Sequence, residues 1–175
     1  MKRIISFSGR TNGNCDQIAS FIAGPQDQVV FFRDLHVHPC SGCEYECFHS
    51  ECKYRADDLY ALYDTMCHYN KVILIIPMYC GNPSSLYFVF QERCQDYFMH
   101  NDVYEAFIQR LYIIGVYGKQ KNSPDFIPCL EKWFDSTPYR NRVLGIERHL
   151  HGQTMQDAIL DVPEEKARIR GFVLG

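Results

Sequence analysis

The stretch Lys71-Val-Ile-Leu-Ile-Ile76 decides the fold class, because only apolar residues follow its first lysine. A strand with one face in water alternates apolar and polar residues, whereas a strand covered on both faces is apolar throughout. The stretch therefore predicts a central strand of a parallel sheet. Parallel neighbours need long crossover connections, usually helices, so helical segments should lie on both sides of it in the sequence.

The rest of the chain shows this alternation of strands and helices. Before the central strand we predict strands over residues 3–8 and 28–33, with a helix over 15–23 between them. A second helix begins at Asp57 or Asp58, either of which can cap it. After the central strand we predict a loop over 77–83, a helix over 84–99, a strand over 111–116, a helix over 126–134, a strand over 142–146 and a helix over 164–172.

Five strands joined by helices predict a flavodoxin-like α/β fold, a doubly wound parallel sheet of order 2-1-3-4-5. In such sheets the ligand lies beyond the carboxyl ends of the strands, at the switch point between the first and third strands. The 175 residues fit a single domain spanning 1–175, with a cysteine-rich insertion at about 34–55.

Composition narrows the function classes. The chain is 46% hydrophobic and 22% charged, which is typical of a globular protein, and its net charge of −3 does not indicate a nucleic-acid or anionic-membrane partner. The apolar run after Met1-Lys-Arg3 is too short for a signal peptide, and no stretch approaches a membrane helix in length. We therefore expect a cytoplasmic protein.

The loop Ser8-Gly-Arg-Thr-Asn-Gly-Asn-Cys15 is the first candidate site, because it joins the first strand to the first helix. The start of a helix offers unpaired N–H groups and the positive end of its dipole to an anion. Gly9 and Gly13 permit close backbone approach, and Arg10 can pair with phosphate oxygens. The alternative is a connecting turn with a helix cap at Asn14. The loop lacks the fingerprints of P-loop NTPases and of dinucleotide-binding proteins.

Two segments carry a family resemblance. Ser8-x-Arg10-x-x-Gly13-Asn14 resembles the phosphate loop of the NADPH-dependent FMN reductase family, whose members have a flavodoxin-like fold. Pro77-Met-Tyr-Cys-Gly-Asn-Pro-Ser84 is similar to the segment of that family that lines the flavin ring. The chain departs from the family pattern at Gly9, usually proline, and at Cys15, usually threonine or serine.

The resemblance implies that FMN is the cofactor. Its phosphate would be held by the first loop: Ser8, Arg10, Thr11, Asn12, Gly13, Asn14 and Cys15. Its ring would be held by the second: Pro77, Met78, Tyr79, Cys80, Gly81 and Asn82. A third loop would contribute Gly115 and Tyr117, where Tyr117 either stacks on the ring or only packs. No side-chain acid or base is required, because the flavin carries the chemistry. A homodimer is also implied.

Four cysteines, Cys40, Cys43, Cys47 and Cys52, are spaced C-x2-C-x3-C-x4-C. Thiolates at such close spacing can hold a [4Fe–4S] cluster, and four thiolates also suit tetrahedral zinc. A third alternative is no metal, with free thiols or a labile disulfide. The segment resembles that of the iron–sulfur flavoproteins and their cluster-free relatives.

Three functions follow from these observations. The first is an FMN-dependent oxidoreductase that passes hydride or electrons from NAD(P)H through the flavin to an unidentified acceptor. The second is an electron carrier of the iron–sulfur flavoprotein type. The third is a non-catalytic sensor in which the cysteine segment responds to redox state or to a metal.

Overall fold

A parallel sheet forms the centre of the protein in a computed structural model that describes residues 1–119, 121, 123–154 and 156–175. The strands β1 (Lys2–Ser6), β2 (Gln28–Phe31), β3 (Lys71–Tyr79), β5 (Leu111–Tyr117) and β6 (Val143–Glu147) pair in parallel in the order β2-β1-β3-β5-β6. The two-residue strand β4 (Asn82–Pro83) pairs antiparallel with β3. With β4 set aside, this is the predicted flavodoxin-like order.

The helices are α1 (Asn14–Ile22), α2 (Asp58–Met66), α3 (Ser85–His100), α4 (Tyr104–Ile108), α5 (Phe126–Glu131) and α6 (Pro163–Leu174). The predicted cap of α2 is confirmed, since the Asp57 carboxylate accepts a hydrogen bond from the Leu59 N–H. The sequence analysis missed α4, which is too short to show a helical period. Within the described residues, no helix is long and apolar enough to cross a membrane.

Helices cover both faces of the sheet, as the uninterrupted apolar stretch in β3 predicted. Val72, Leu74 and Ile76 belong to the core on the face of α2 and α3, and Ile73 and Ile75 belong to the core on the face of α1 and α6. All five are fully buried. Alternate side chains of β3 thus supply two separate cores, which is why no polar residue interrupts this strand.

The predicted loop over 77–83 is wrong, because β3 continues to Tyr79 and turns back as a short hairpin with β4. The two turn residues, Cys80 and Gly81, have φ values of +49° and +84°. Positive φ at both positions is what a type I′ turn requires, and this turn matches the twist of a hairpin. Glycine signals this turn in the sequence, but cysteine in its first position does not.

The predicted strand over 111–116 is confirmed as β5, which ends at Tyr117, so Gly115, which was also assigned to the third loop, lies inside the strand. A Cβ atom on Gly115 would lie 2.9 Å from side-chain atoms of Phe126, Ile127 and Leu130. The glycine therefore lets α5 pack closely on the sheet.

Candidate functional site

A cavity of about 320 Å³ opens beyond the carboxyl ends of β1, β3 and β5, the edge at which doubly wound sheets bind ligands. Four connections contribute to its wall: the first loop with the start of α1, the hairpin, the end of β5, and the segment after β6. The lining residues are Ser8, Arg10, Gly13, Asn14, Cys15, Pro77, Met78, Tyr79, Cys80, Val116, Tyr117, Gly118 and Arg148.

The buried carboxylate of Asp16 holds the first loop in shape. It accepts hydrogen bonds from the Ser6 hydroxyl at 2.7 Å and from the Asn12 backbone N–H at 2.9 Å. It also pairs with the Arg33 guanidinium at 2.9 Å. Asn12 has a φ of +55°, a conformation that asparagine tolerates better than most residues. The negative charge of Asp16, in the first turn of α1, is therefore balanced by Arg33 on the inner side of the loop.

Ser8 closes a tight turn at the mouth of the cavity. Its buried hydroxyl donates to the Arg10 carbonyl at 3.0 Å and accepts from the Arg10 N–H at 3.1 Å. The Ser8 carbonyl accepts in turn from the Arg33 guanidinium at 3.2 Å. The loop backbone is therefore held by its own side chains before any ligand arrives, while the Arg10 side chain is exposed.

The start of α1 faces the cavity without a side-chain cap. Gly13 is the N-cap residue, and the first backbone bond of the helix joins the Gln17 N–H to the Gly13 carbonyl at 3.0 Å. The amides of the first turn consequently have no partner within the helix. Burial raises the pKa of the Cys15 thiol, so this residue brings no negative charge to the helix start.

The cavity is cationic, although the protein as a whole is acidic. Among the described residues that line it, the charged ones are Arg10 and Arg148, and none is a carboxylate. Arg148, which the sequence analysis missed, is 7% exposed and begins the 3-10 turn Arg148–His151 directly after β6. Its position just past a predicted strand is the signal that would have found it, because every parallel strand delivers its following residue to the same edge.

The opposite side of the cavity is apolar and aromatic. Met78 and Tyr79 lie at the end of β3, where the Tyr79 ring is 47% exposed. Tyr117 is 9% exposed, packs against Phe126 at a ring distance of 5.8 Å, and also lines the cavity. Burial raises the pKa of the Tyr117 phenol, which is therefore uncharged. A flat apolar ligand has a matching wall here.

Some of the predicted contact residues lie elsewhere. Thr11 and Asn12 are exposed at the tip of the first loop, and the Asn82 amide donates to the Cys80 carbonyl at 3.2 Å within the hairpin. Gly81 supplies the turn and Gly115 the contact with α5. The Asn14 side chain bonds instead to the carboxyl-terminal part of the chain, donating to the Asp157 carbonyl at 3.2 Å and accepting from the Ile159 N–H at 2.8 Å.

The cysteine segment holds free thiols at Cys40, Cys43, Cys47 and Cys52. Across the part of the chain that the structure describes, no group of three or more histidine, cysteine, aspartate or glutamate side chains is arranged to hold a metal ion. The structure therefore gives no support to the iron–sulfur or zinc hypothesis.

The chain matches no family model and no curated protein, but it is similar to solved structures. The Trp repressor binding protein from Bacillus subtilis is 17% identical, with a TM-score of 0.63 over 98% of this chain and 99% of that one. RosB with a bound 8-demethyl-8-formylriboflavin-5′-phosphate intermediate is 11% identical, with a TM-score of 0.70 over 99% and 76%. The apo form of an NADH:FMN oxidoreductase is 12% identical, with a TM-score of 0.53 over 98% and 85%. At such identities these likenesses show a shared fold.

Proposed function

We propose that this protein is a flavoprotein oxidoreductase that binds FMN at the carboxyl edge of its sheet and passes hydride or electrons from NAD(P)H to an acceptor. The observation that carries the proposal is the two-part lining of the cavity. One end has cationic side chains and helix amides, and the other is apolar and aromatic. An FMN molecule has the same division, since a phosphate dianion and a flat ring lie at its two ends.

The phosphate end is the start of α1. Its free amides and the positive end of its dipole favour an anion, and the exposed Arg10 adds a positive charge beside them. Because Asp16 and Ser8 already fix the loop, binding requires little ordering of the backbone. The acid of Asp16 does not oppose the phosphate, since Arg33 neutralises it at 2.9 Å.

The ring end is the hairpin together with the end of β5. Met78, Tyr79 and Tyr117 would form the wall against which an isoalloxazine packs, and the exposed hairpin amides would reach its polar edge. When bound, FMN supplies the redox group that protein side chains lack, so the residues here bind, orient and shield the ring.

Two of the similar structures support this proposal by the ligand or activity in their names. RosB was solved with a derivative of riboflavin 5′-phosphate, and another neighbour is an NADH:FMN oxidoreductase. Because these proteins share the fold of this chain, their names support FMN as its cofactor and a nicotinamide as its electron donor.

The test is a titration of the apoprotein with FMN, followed by anaerobic addition of NADH or NADPH. We expect saturable binding, seen as a change in flavin fluorescence, and bleaching of the visible flavin band by at least one nicotinamide. Failure to bind FMN would show that the first loop is a connecting turn and does not bind the phosphate. Binding without reduction by either nicotinamide would overturn the oxidoreductase activity and favour an electron carrier.

A further inference from the structure

We infer that Arg148 is a second phosphate-binding residue of the cavity and makes the protein select flavins that carry a terminal phosphate. The inference rests on the proposed function and deepens it, because the first loop alone was expected to hold the phosphate. Arg148 comes from the opposite end of the sequence and enters the cavity from the segment after β6.

The position of Arg148 is unusual for a charged residue. It is 7% exposed, and yet it lines an open cavity together with Arg10 and with Cys15 at the start of α1. Arginine side chains are mostly exposed in folded proteins. A guanidinium held at this depth beside a helix start is placed to meet an anion rather than bulk solvent.

Hydrogen bonds hold the guanidinium in place before any ligand binds. Its Nη2 donates to the Asp157 carbonyl at 3.0 Å and also to the Thr154 carbonyl. The Thr154 N–H donates to the Asp157 carboxylate at 2.6 Å, which closes this part of the loop. An arginine fixed in this way loses little side-chain freedom on binding, and that raises affinity.

The same loop is tied directly to the phosphate end of the cavity. The Asn14 side chain donates to the Asp157 carbonyl at 3.2 Å, the carbonyl that also accepts from Arg148. Asn14 is the first residue of α1. One backbone oxygen therefore sets the guanidinium and the helix start at a fixed spacing, as a two-sided anion site requires.

The charges around Arg148 favour a dianion. Burial lowers the pKa of Arg148 and repulsion from Arg10 lowers it further, whereas the Asp157 carboxylate raises it. The Asp157 carboxylate is itself engaged by the Thr154 N–H. A phosphate carries close to two negative charges, so it can relieve the repulsion between both arginines at once.

The test compares FMN with riboflavin, which differ only in the phosphate. Dissociation constants are measured by flavin fluorescence for the wild type, Arg148→Ala and Arg148→Gln, since glutamine keeps an amide donor for the loop carbonyls but lacks the charge. We expect FMN to bind about tenfold to a hundredfold more weakly in both variants, with riboflavin affinity changed less than about twofold. Arg140→Ala is the control, because that side chain is 68% exposed.

A structural role for Arg148 would weaken both flavins equally, and this result would overturn the inference. Unchanged FMN affinity in Arg148→Gln would overturn it as well, even if Arg148→Ala fails to fold. Equal affinity of the wild type for FMN and riboflavin would contradict the selection of phosphorylated flavins, but it would not contradict flavin binding. A wild type that binds neither flavin would instead overturn the proposed function, and the two failures are therefore distinguishable.

Discussion

Gly13 and Asp16 set the charge at the start of α1. Asp16 carries its acid in the first helical turn, but Ser6, Asn12 and Arg33 hold the carboxylate on the inner side of the loop. Gly13 leaves the N-cap without a side chain. The part of the helix start that faces the cavity consequently keeps its positive character, which an N-cap aspartate would cancel.

Replacing Gly13 isolates this charge. The backbone at Gly13 has φ −73° and ψ 177°, and a Cβ atom would meet its nearest neighbours at 3.5 Å, so both Gly13→Asp and Gly13→Asn fit. Both residues are good N-caps, and we expect either variant to unfold at or above the wild-type temperature. FMN should bind at least about tenfold more weakly to Gly13→Asp than to Gly13→Asn, because the two variants differ only in charge. Equal affinities in a fluorescence titration would contradict a phosphate at this position.

Asp27 makes the stability of the fold depend on pH. Its carboxylate accepts from the Lys2 N–H at 2.6 Å and the Gly24 N–H at 2.7 Å, and pairs with the Lys2 ammonium at 2.8 Å. Burial alone would raise the pKa of Asp27, but the bonds from Lys2 and Gly24 outweigh it and lower the pKa. A lowered pKa stabilises the folded state above the unfolded value of about 3.9, and this stabilisation is lost as pH falls through the folded-state pKa.

Asp27→Asn should therefore lose about 1–3 kcal/mol of unfolding free energy at pH 7, where the wild-type carboxylate is charged. The gap between variant and wild type should close as the pH is lowered below about 4. Urea unfolding at several pH values measures both quantities. A gap of constant size from neutral to acid pH would show that the charge of Asp27 contributes nothing.

Among the elements, α5 approaches the sheet at two glycines. Gly115 and Gly145 are register partners on β5 and β6. A Cβ on Gly115 would lie 2.9 Å from the Ile127 Cδ1 atom, and one on Gly145 would lie 3.2 Å from the same atom. The glycine pair forms a flat area on which α5 rests, next to the point where Tyr117 enters the cavity wall.

Gly115→Ala should lower the unfolding free energy by about 1–3 kcal/mol, because the added methyl group overpacks the contact with α5. Ile127→Val removes the Cδ1 atom, one of the three neighbours at 2.9 Å, so the same substitution should cost less in that background. Chemical denaturation of the two single variants and the double variant gives the coupling. If the losses of unfolding free energy in the two single variants add exactly in the double variant, the contact with Ile127 does not limit the size of the side chain at position 115.

On the scale of the whole molecule, Arg93 joins the cysteine-rich segment to the rest of the protein. This side chain of α3 is 1% exposed and donates to the His38 carbonyl at 2.8 Å, the Tyr54 carbonyl at 3.2 Å and the Asp57 carboxylate at 2.9 Å. The His38 and Tyr54 rings stack at 4.6 Å. One buried guanidinium thus holds both ends of the segment against α2 and α3.

Arg93→Met should cost about 3–5 kcal/mol of unfolding free energy, since it removes the guanidinium that pairs with the buried Asp57 carboxylate. It should also speed the labelling of thiols in the segment, while the buried Cys15 and Cys94 remain protected in folded protein. Mass spectrometry after brief alkylation measures both rates. If Arg93→Met labels like the exposed control Arg140→Ala, the segment is held by other contacts.

The sequence predicted helices and strands well wherever apolar residues recur with a regular spacing or a helix-capping residue is present. The strand in β3 and the capped start of α2 follow from a few adjacent residues, and both are confirmed. The hairpin after β3 was missed because cysteine is not a usual residue at φ +49°, and α4 because five residues cannot show a period. These errors arise where neighbouring structure, rather than local preference, sets the backbone.

The sequence by itself determined the parallel sheet and the edge at which its cavity opens, because burial on both faces and helix crossovers leave their pattern in adjacent residues, and the strand order is the one common to doubly wound sheets of this size. Only the tertiary structure decided which residues line that cavity. The Asn14 side chain meets the Ile159 N–H across 145 residues of sequence, and the same folding carries Arg148 to the start of α1. Contacts between residues so far apart depend on the packing of the whole sheet, which no local pattern records.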